Sequence, residues 1–521
     1  MRIDSTKNVI RGSAVGIIGN IVNIVFPFLN RSVIIYTLGA EYIGLSSLFT
    51  SILSVLSLAE LGIGSSLVFS MYKPIAEDDN ESICALLNLY KTCYRVIGSI
   101  ICIAGLCLLP FLQFLIKADC PSNINIYVLY IIYLVNTGAS YFLFAYKSSI
   151  LSAFQRNDII NGISLIVSVI RSVVQLVILI VLKNYYMYII VLPLSAIANN
   201  LLINLFVKKE FPEIEPKGKV QSAKIADIKK RVAGLLCHKI SNVVITSADS
   251  IVISSFIGLT TLGMYNNYYF IMTSIIAMIA IIINSMTAGI GNQMNVMTVE
   301  ENYQKFEQAQ FIYFWLIGWC SSCFLCLYQP FMQIWVGQEL CLPNYLVVLF
   351  VAYFISLKMC DIVGLYKNAA GIWWEDKFRP VVSSLLNLVL NIILIQYIGL
   401  AGVLISTIVV SVFINYILGT RVLFMVYFKK NVNNCFLTTI RYLADIVIMC
   451  ASAYIVCHII TKNDGSVGVL MIRFAVCTII PNSVKYILYY RSRKMIAIKG
   501  IYSNVMRVIL KKIKVCSDNN L

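Results

Sequence analysis

Apolar runs of about 20 residues recur along the whole chain, divided by short polar stretches. That length is what an α-helix needs to cross the hydrocarbon of a bilayer. The runs predict fourteen spans, at 12–35, 43–72, 96–116, 125–146, 159–182, 188–207, 232–257, 265–290, 310–334, 345–366, 380–397, 402–428, 442–461 and 467–490. A transmembrane β-barrel would instead show short alternating segments. The predicted fold class is therefore an all-α integral membrane protein. The first run follows Arg2, Lys7 and Arg11 with no small-residue cleavage site, so it reads as a retained helix and not a signal peptide.

The pattern repeats itself. Asn30–Leu48 reads NRSVIIYTLGAEYIGLSSL, and Asp249–Asn267 reads DSIVISSFIGLTTLGMYNN. A shift of 219 places Gly39 on Gly258 and Gly44 on Gly263. At a shift of 227, Gly62-Ile63-Gly64 recurs as Gly289-Ile290-Gly291. The first shift also aligns polar positions inside spans one and seven: Asn20 with Lys239, Asn23 with Asn242, Pro27 with Thr246, and Asn30 with Asp249. A spacing of 0, +3, +7, +10 keeps each set on one helix face. Each half thus opens with a helix bearing a polar stripe. An even number of spans separates the copies, so they enter the membrane in the same direction, as parallel repeats do. The expected organisation is an N-lobe at 1–207, a linker at 208–231, a C-lobe at 232–428, spans thirteen and fourteen within 429–490, and a basic tail at 491–521. Transporters built in this way bind cargo near the midplane between the lobes and rock the lobes about it.

Composition sharpens this picture. The chain is 59% hydrophobic and 12% charged, with a mean hydropathy of +0.83. Too few polar residues remain to coat a soluble domain of this size. The net charge of +17 does not point to nucleic acid, because it is distributed by side. Alternate loops hold 31 Lys and Arg, whereas the others hold only Lys117, Lys183 and Lys462. The positive-inside bias puts both termini in the cytoplasm. In the tail, Ile498, Ile501, Val505, Val508, Ile509 and Ile513 recur at helical spacing among Lys and Arg. This suits either a helix on the anionic leaflet or a solvated tail.

Charges inside the spans are the candidate chemistry, since each costs about 2.5–3.5 kcal/mol at the bilayer centre on insertion scales. Arg31, Arg171, Lys239 and Lys358 outnumber Glu60, Asp249 and Asp361, which makes a mildly cationic cleft suited to an anionic head group. Arg171 shares a stripe with Ser164, Ser168 and Gln175, and Glu60 lies beside Ser54 and Ser57. Asn136 and Ser140 add polarity to span four. Lys358 and Asp361, at i and i+3, are placed to pair. Arg31 can turn inward to the cleft or outward to water. Arg421, Arg473 and Lys485, nearer span ends, are read as snorkelling.

Cys320-x-x-Cys323-x-x-Cys326 has the look of an iron–sulfur run but lacks a nearby fourth cysteine, and is read as packing. Cys120 and Cys341, in predicted outer loops, are a candidate pair. His238 and His458 have no metal-ligand company. No cofactor, no metal and no catalytic residues are expected. Without a phosphate-binding loop, energy must come from ion gradients, membrane potential or substrate flux.

The stretch YTLGAEYIGLSSLFTSILSVLSLAELGIGSSL, from Tyr36 to Leu67, with the fourteen spans and twin lobes, resembles the polysaccharide-transporter branch of the MOP flippase superfamily. That branch contains the Wzx-type flippases of O-antigen and capsule repeat units. The resemblance implies a bacterial inner-membrane protein with a two-lobed fold. It would move undecaprenyl-pyrophosphate-linked oligosaccharide outward by alternating access. Arg31, Arg171, Lys239 and Lys358 would meet the pyrophosphate, with Asn20, Asn23, Asn30, Asn242 and Thr246 as the polar stripe of the cleft. Glu60, Asp249 and Asp361 would be candidates for coupling to H+ or Na+. Spans thirteen and fourteen would help hold the lipid tail, and polysaccharide polymerase or other assembly proteins are implied partners. Two alternatives stand beside it. One is a MATE-type drug/cation antiporter, which would need a carboxylate-dominated cleft. The other is a membrane enzyme such as a repeat-unit polymerase, which would need a large loop or soluble lobe.

Overall fold

The computed structural model describes residues 5–60, 63–117, 120, 121, 123–220, 225, 241, 243–245, 247–461, 466–492 and 495, with backbone alone at 5–18, 59 and 288. Lys239, Asn242, Thr246 and His238 lie outside the described residues, as does the helical pattern of the tail. The described residues are overwhelmingly helical, with no strand among them. Ten of their helices are long and apolar enough to cross a membrane, or eleven if one bent pair counts as a span. This is an all-α, multi-span membrane protein.

The elements follow the apolar runs closely. The first half holds α1 (Ser5–Thr37), α2 (Ala40–Leu56), α3 (Ile63–Ala76), α4 (Asn80–Leu108), α5 (Ile126–Phe142), α6 (Ser148–Ala153), α7 (Asn157–Val181) and α8 (Tyr185–Glu210). Then come α9 (Val243–Phe256), α10 (Leu259–Val296), α11 (Val299–Val336), α12 (Asn344–Lys358), α13 (Asp361–Ala369), α14 (Phe378–Ile398) and α15 (Leu400–Val410). A π-helical turn over Ser411–Leu418 leads into α16 (Gly419–Leu423), and α17 (Asn433–Ile460) and α18 (Val467–Tyr489) complete the chain.

Two departures have local causes. Several expected loops are helix. At 38 residues, α11 is about 57 Å long, and it starts well before position 310. Its start is a reciprocal cap: the Thr298 side chain accepts from the Glu301 backbone, and the Glu301 side chain accepts from the Thr298 backbone. Conversely, two expected spans are broken. Along α2, the Ser54 and Ser57 hydroxyls donate back to Thr50 O and Leu53 O, a geometry that bends helices. The helix tightens to a 3-10 turn at Ser57–Glu60 and restarts at Ile63. In span four, α5 ends at Phe142, Phe144 takes φ 57°, and the next helical segment, Ala145–Ala153, leaves at 45°.

The chain packs as two compact units, Met1–Ile275 with Lys377–Val410, and Ile276–Asp376 with Ser411–Leu521. In the first, α1 runs along α7, α5 and α7 both pack on α8, and α14 packs on α15. Leu67, Leu87, Ile101, Ile150, Leu151 and Val207 are buried in one apolar cluster. Residues 211–220, expected to be a plain linker, are fastened to α4. Ile214 joins that cluster, Asn80 donates to Glu213, and Asn88 donates to Gly218 O. In the second unit, α11 packs against α12, α17 and α18.

The repeat seen in sequence is present in backbone detail. Gly39 and Gly258, 219 apart, both take left-handed φ, 124° and 135°. Each ends its helix by donating to the equivalent carbonyl, Ile34 O or Ile253 O. The paired glycines five residues on explain why the motif is glycine at all. A Cβ on Gly44 would lie 2.2 Å from Leu259 O, and a Cβ on Gly263 would lie 2.2 Å from Ala40 O. Leu259 is the repeat counterpart of Ala40, so the contact is reciprocal, as a local two-fold axis requires. A second register, 216, matches Lys183 (φ 48°) to Gly399 (φ 57°) and Gln175 to Asn391.

Gly44→Ala or Gly263→Ala should therefore cost about 1–3 kcal/mol by overpacking, read as a lowered melting temperature in detergent. Gly289→Ala, where a Cβ meets nothing within 4 Å, should be neutral.

Candidate functional site

Arg31 turns into the protein. Its Nη1 donates to Asn267 Oδ1 at 3.1 Å, and its guanidinium lies 5.0 Å from the Phe270 ring centre. Both partners are on α10, the helix that follows the reciprocal glycine contact. Arg171, on α7, donates to Ser168 Oγ at 3.1 Å. Both guanidinium groups are within electrostatic reach of Tyr188 on α8, which the packing of α1 and α8 on α7 brings about. Among the described residues, neither arginine pairs with a carboxylate. Beside Arg31, two buried amide atoms, Asn30 Oδ1 and Asn267 Nδ2, have no hydrogen-bond partner among the described residues. Of the α1 stripe, Asn20 and Asn23 are exposed and Asn30 is buried.

Glu60 sits at the break in span two and borders a cavity of 370 Å³ lined by Thr50, Ser54, Ser57, Tyr133, Asn136 and Val243. Its carboxylate accepts from Tyr94 at 2.5 Å and from Tyr141 at 2.6 Å. Sequence identified the serines and Asn136, which the fold brings together. It missed the two tyrosines, because tyrosine in an apolar span carries no signal of what its hydroxyl meets.

Asp249, the counterpart of Asn30, is buried and accepts from neutral donors, Asn391 Nδ2 at 2.7 Å and Tyr265 Oη at 3.1 Å. Ser406 donates to Asn391, and Asn387 donates to Thr407 at 2.9 Å. This polar layer links α9, α10, α14 and α15. Asn387 and Asn391 had no place in the sequence-derived site, although the 216 register sets them opposite Arg171 and Gln175.

In the second unit three lysines pair with carboxylates, Lys358 with Asp361, Lys367 with Asp376 and Lys485 with Asp445. Lys358 donates to Asp361 at 2.8 Å, and Tyr313 donates to the same carboxylate oxygen. The snorkelling expected of two basic residues is overturned. Lys485 is 1% exposed and lies 2.6 Å from Asp445, with Phe311, Tyr442 and Tyr489 rings around its ammonium. Arg473 is buried and donates to Thr461 and to Cys326 O. Facing helices supplied closer acceptors than the span ends did. Arg421 is exposed, as snorkelling would leave it. Cys120 and Cys341 are free thiols, not the expected pair.

Removing one partner of a buried pair leaves a bare charge, at a cost of about 3–5 kcal/mol. Lys485→Met should thus sharply lower the melting temperature and yield. The double substitution Lys485→Met/Asp445→Leu should recover most of the loss.

Residues 9–288 match the family model described as "Polysaccharide biosynthesis protein". No curated protein matches the chain. Among solved structures, the inward closed conformation of the lipid II flippase MurJ is similar, with a TM-score of 0.66 at 14% identity. That match covers 92% of this chain and 99% of the other. An inward-facing multidrug resistance MATE family transporter of the MOP superfamily gives 0.59 at 16% identity, covering 80% and 98%. An outward-facing one gives 0.52 at 16%, covering 81% and 96%. At these identities the likeness is one of fold. The match spans more than half of the chain, which therefore belongs to the polysaccharide biosynthesis protein family and is built on the fold of the MOP-superfamily transporters.

Proposed function

We propose that this protein is a lipid-linked oligosaccharide flippase of the bacterial inner membrane. It carries polysaccharide repeat units, joined through pyrophosphate to undecaprenyl, from the inner to the outer leaflet. Both termini lie in the cytoplasm, and the two sequence-related halves, 1–207 and 232–428, alternate access to a cationic cleft. The polysaccharide family and the lipid II flippase fold support the cargo class.

The observation that carries the reading is the arginine pair. Two guanidinium groups inside the membrane, each within electrostatic reach of Tyr188, have neutral partners, and neither pairs with a carboxylate among the described residues. A doubly charged anion would match both charges, and a planar guanidinium is shaped to grip phosphate oxygens in a bidentate way. The open Nδ2 of Asn267 supplies a further donor. Lys239 is the third basic candidate. Lys358 is the weaker fourth, since Asp361 already meets its charge. The stripe of Asn20, Asn23, Asn30, Asn242 and Thr246 would give the sugars a polar path while the polyprenyl chain stays in lipid.

For coupling to H+ or Na+, Glu60 and Asp249 are the better candidates. Their carboxylates have neutral donors, so a cation is not already in place there. Asp361 is held by Lys358 and ranks below them. Polymerase and other assembly proteins of the same polysaccharide are the proposed partners.

In a reconstituted flipping assay with a pyrophosphate-linked glycolipid, Arg31→Gln/Arg171→Gln should slow transport about tenfold or more, since losing charge-assisted contacts costs at least 1.4 kcal/mol. Arg31→Lys/Arg171→Lys should fall between. Wild-type rates in the double glutamine variant would remove the arginine pair from the mechanism.

A further inference from the structure

Three long helices of the second unit bring four cysteines to one place. Cys323 and Cys326 lie one turn apart on α11, Cys457 lies in the last turn of α17, and Cys477 is midway along α18. The sulfurs of Cys326, Cys457 and Cys477 all fall within 4.8 Å of one another, and all three residues are buried. The Cys323 thiol faces Cys477. All four are free thiols.

Apolar packing accounts for a single cysteine in a span but gives no reason for sulfur to converge from three helices. Metal binding does. In a tetrahedral zinc–thiolate site with bonds of about 2.3 Å, neighbouring sulfurs are about 3.8 Å apart. Sulfurs already within 4.8 Å reach that spacing with small side-chain rotations. The surroundings suit such a centre as well. Three thiolates on a divalent ion leave one negative charge. The Arg473 guanidinium stands beside Cys457 and donates to Cys326 O, where it offsets that charge within the membrane. Cys326 and Cys457 also border a cavity of 790 Å³ lined by Gln329, Gln333, His458 and Arg473, which is a polar route for an ion to enter.

We propose that Cys326, Cys457 and Cys477 bind a thiophilic divalent metal ion of the zinc class. Arg473 balances the charge. The three thiols release their protons as the ion binds, so no electrons are exchanged. The ion ties α17 and α18 to α11, and the site stands independently of the transported cargo.

The test is metal analysis of the full-length protein purified in detergent under reducing conditions without chelator. About one zinc ion per chain is expected. Cys457→Ser and Cys477→Ser should lose it, whereas Cys93→Ser, in the other unit, should keep it. Stripping the wild type with chelator should lower its melting temperature. Co2+ should then restore it and give thiolate-to-cobalt charge-transfer absorption. The wild-type chelator and Co2+ arms answer even if a serine variant does not fold. Metal-free wild type that ignores both chelator and Co2+ overturns the proposal. So does mass spectrometry of non-reduced membranes showing disulfides among these cysteines.

Discussion

The rest of the first unit depends on one close backbone approach. Gly44 meets Leu259 O and Gly263 meets Ala40 O, and in both places a side chain would stand 2.2 Å from a carbonyl oxygen. Helices can come this near only where the residue is glycine. The reciprocity fixes α2 and α10 about a local two-fold axis, with the left-handed glycines Gly39 and Gly258 setting the turn on either side. From that placement follow the neighbours of the polar residues. Arg31 meets Asn267 and Phe270 because α10 passes beside the end of α1. Asp249 enters its asparagine layer at the position where the other repeat holds Asn30.

A membrane interior sorts charges by whether they are matched. Lys485 with Asp445, Lys367 with Asp376 and Lys358 with Asp361 are each matched by a carboxylate within 2.8 Å, and these pairs all lie in the second unit. In the first unit, Arg31 and Arg171 have neutral partners, and Glu60 and Asp249 are met by tyrosine and asparagine donors. An unmatched charge in low dielectric is held there by something else. Under the proposed function, that something is the anionic head group for the arginines and the coupling cation for the carboxylates.

Sequence alone made much of this legible, and the reasons are physical. The all-α, multi-span class is written in hydropathy because the bilayer imposes long apolar runs, although the structure has ten or eleven candidate spans among the described residues against the fourteen expected. The repeat was legible because glycines required by backbone contact cannot drift. Breaks within spans two and four were not, since apolar content does not change where Ser57 bends a helix or Phe144 reverses its φ. Nor could periodicity say which helix a charge would find: Lys485 and Arg473 looked ready to reach outward, yet found acceptors on facing helices. Hydroxyls of Tyr94, Tyr141 and Tyr188 were invisible for the same reason. The cysteines show the limit most plainly. A run on one helix lacked its remaining ligands in sequence, and they arrive from two helices more than 130 residues further on.

The proposed function requires an anion held by two arginines, and binding measures that more directly than flux. Native mass spectrometry of the purified protein, titrated with undecaprenyl pyrophosphate and with undecaprenol, its neutral counterpart of equal chain length, as the matched control, reports occupancy of the cleft. Preferential binding of the pyrophosphate lipid by the wild type, lost in a folded Arg31→Gln/Arg171→Gln variant, is the predicted result. Equal retention of the pyrophosphate lipid by that variant and the wild type would contradict it.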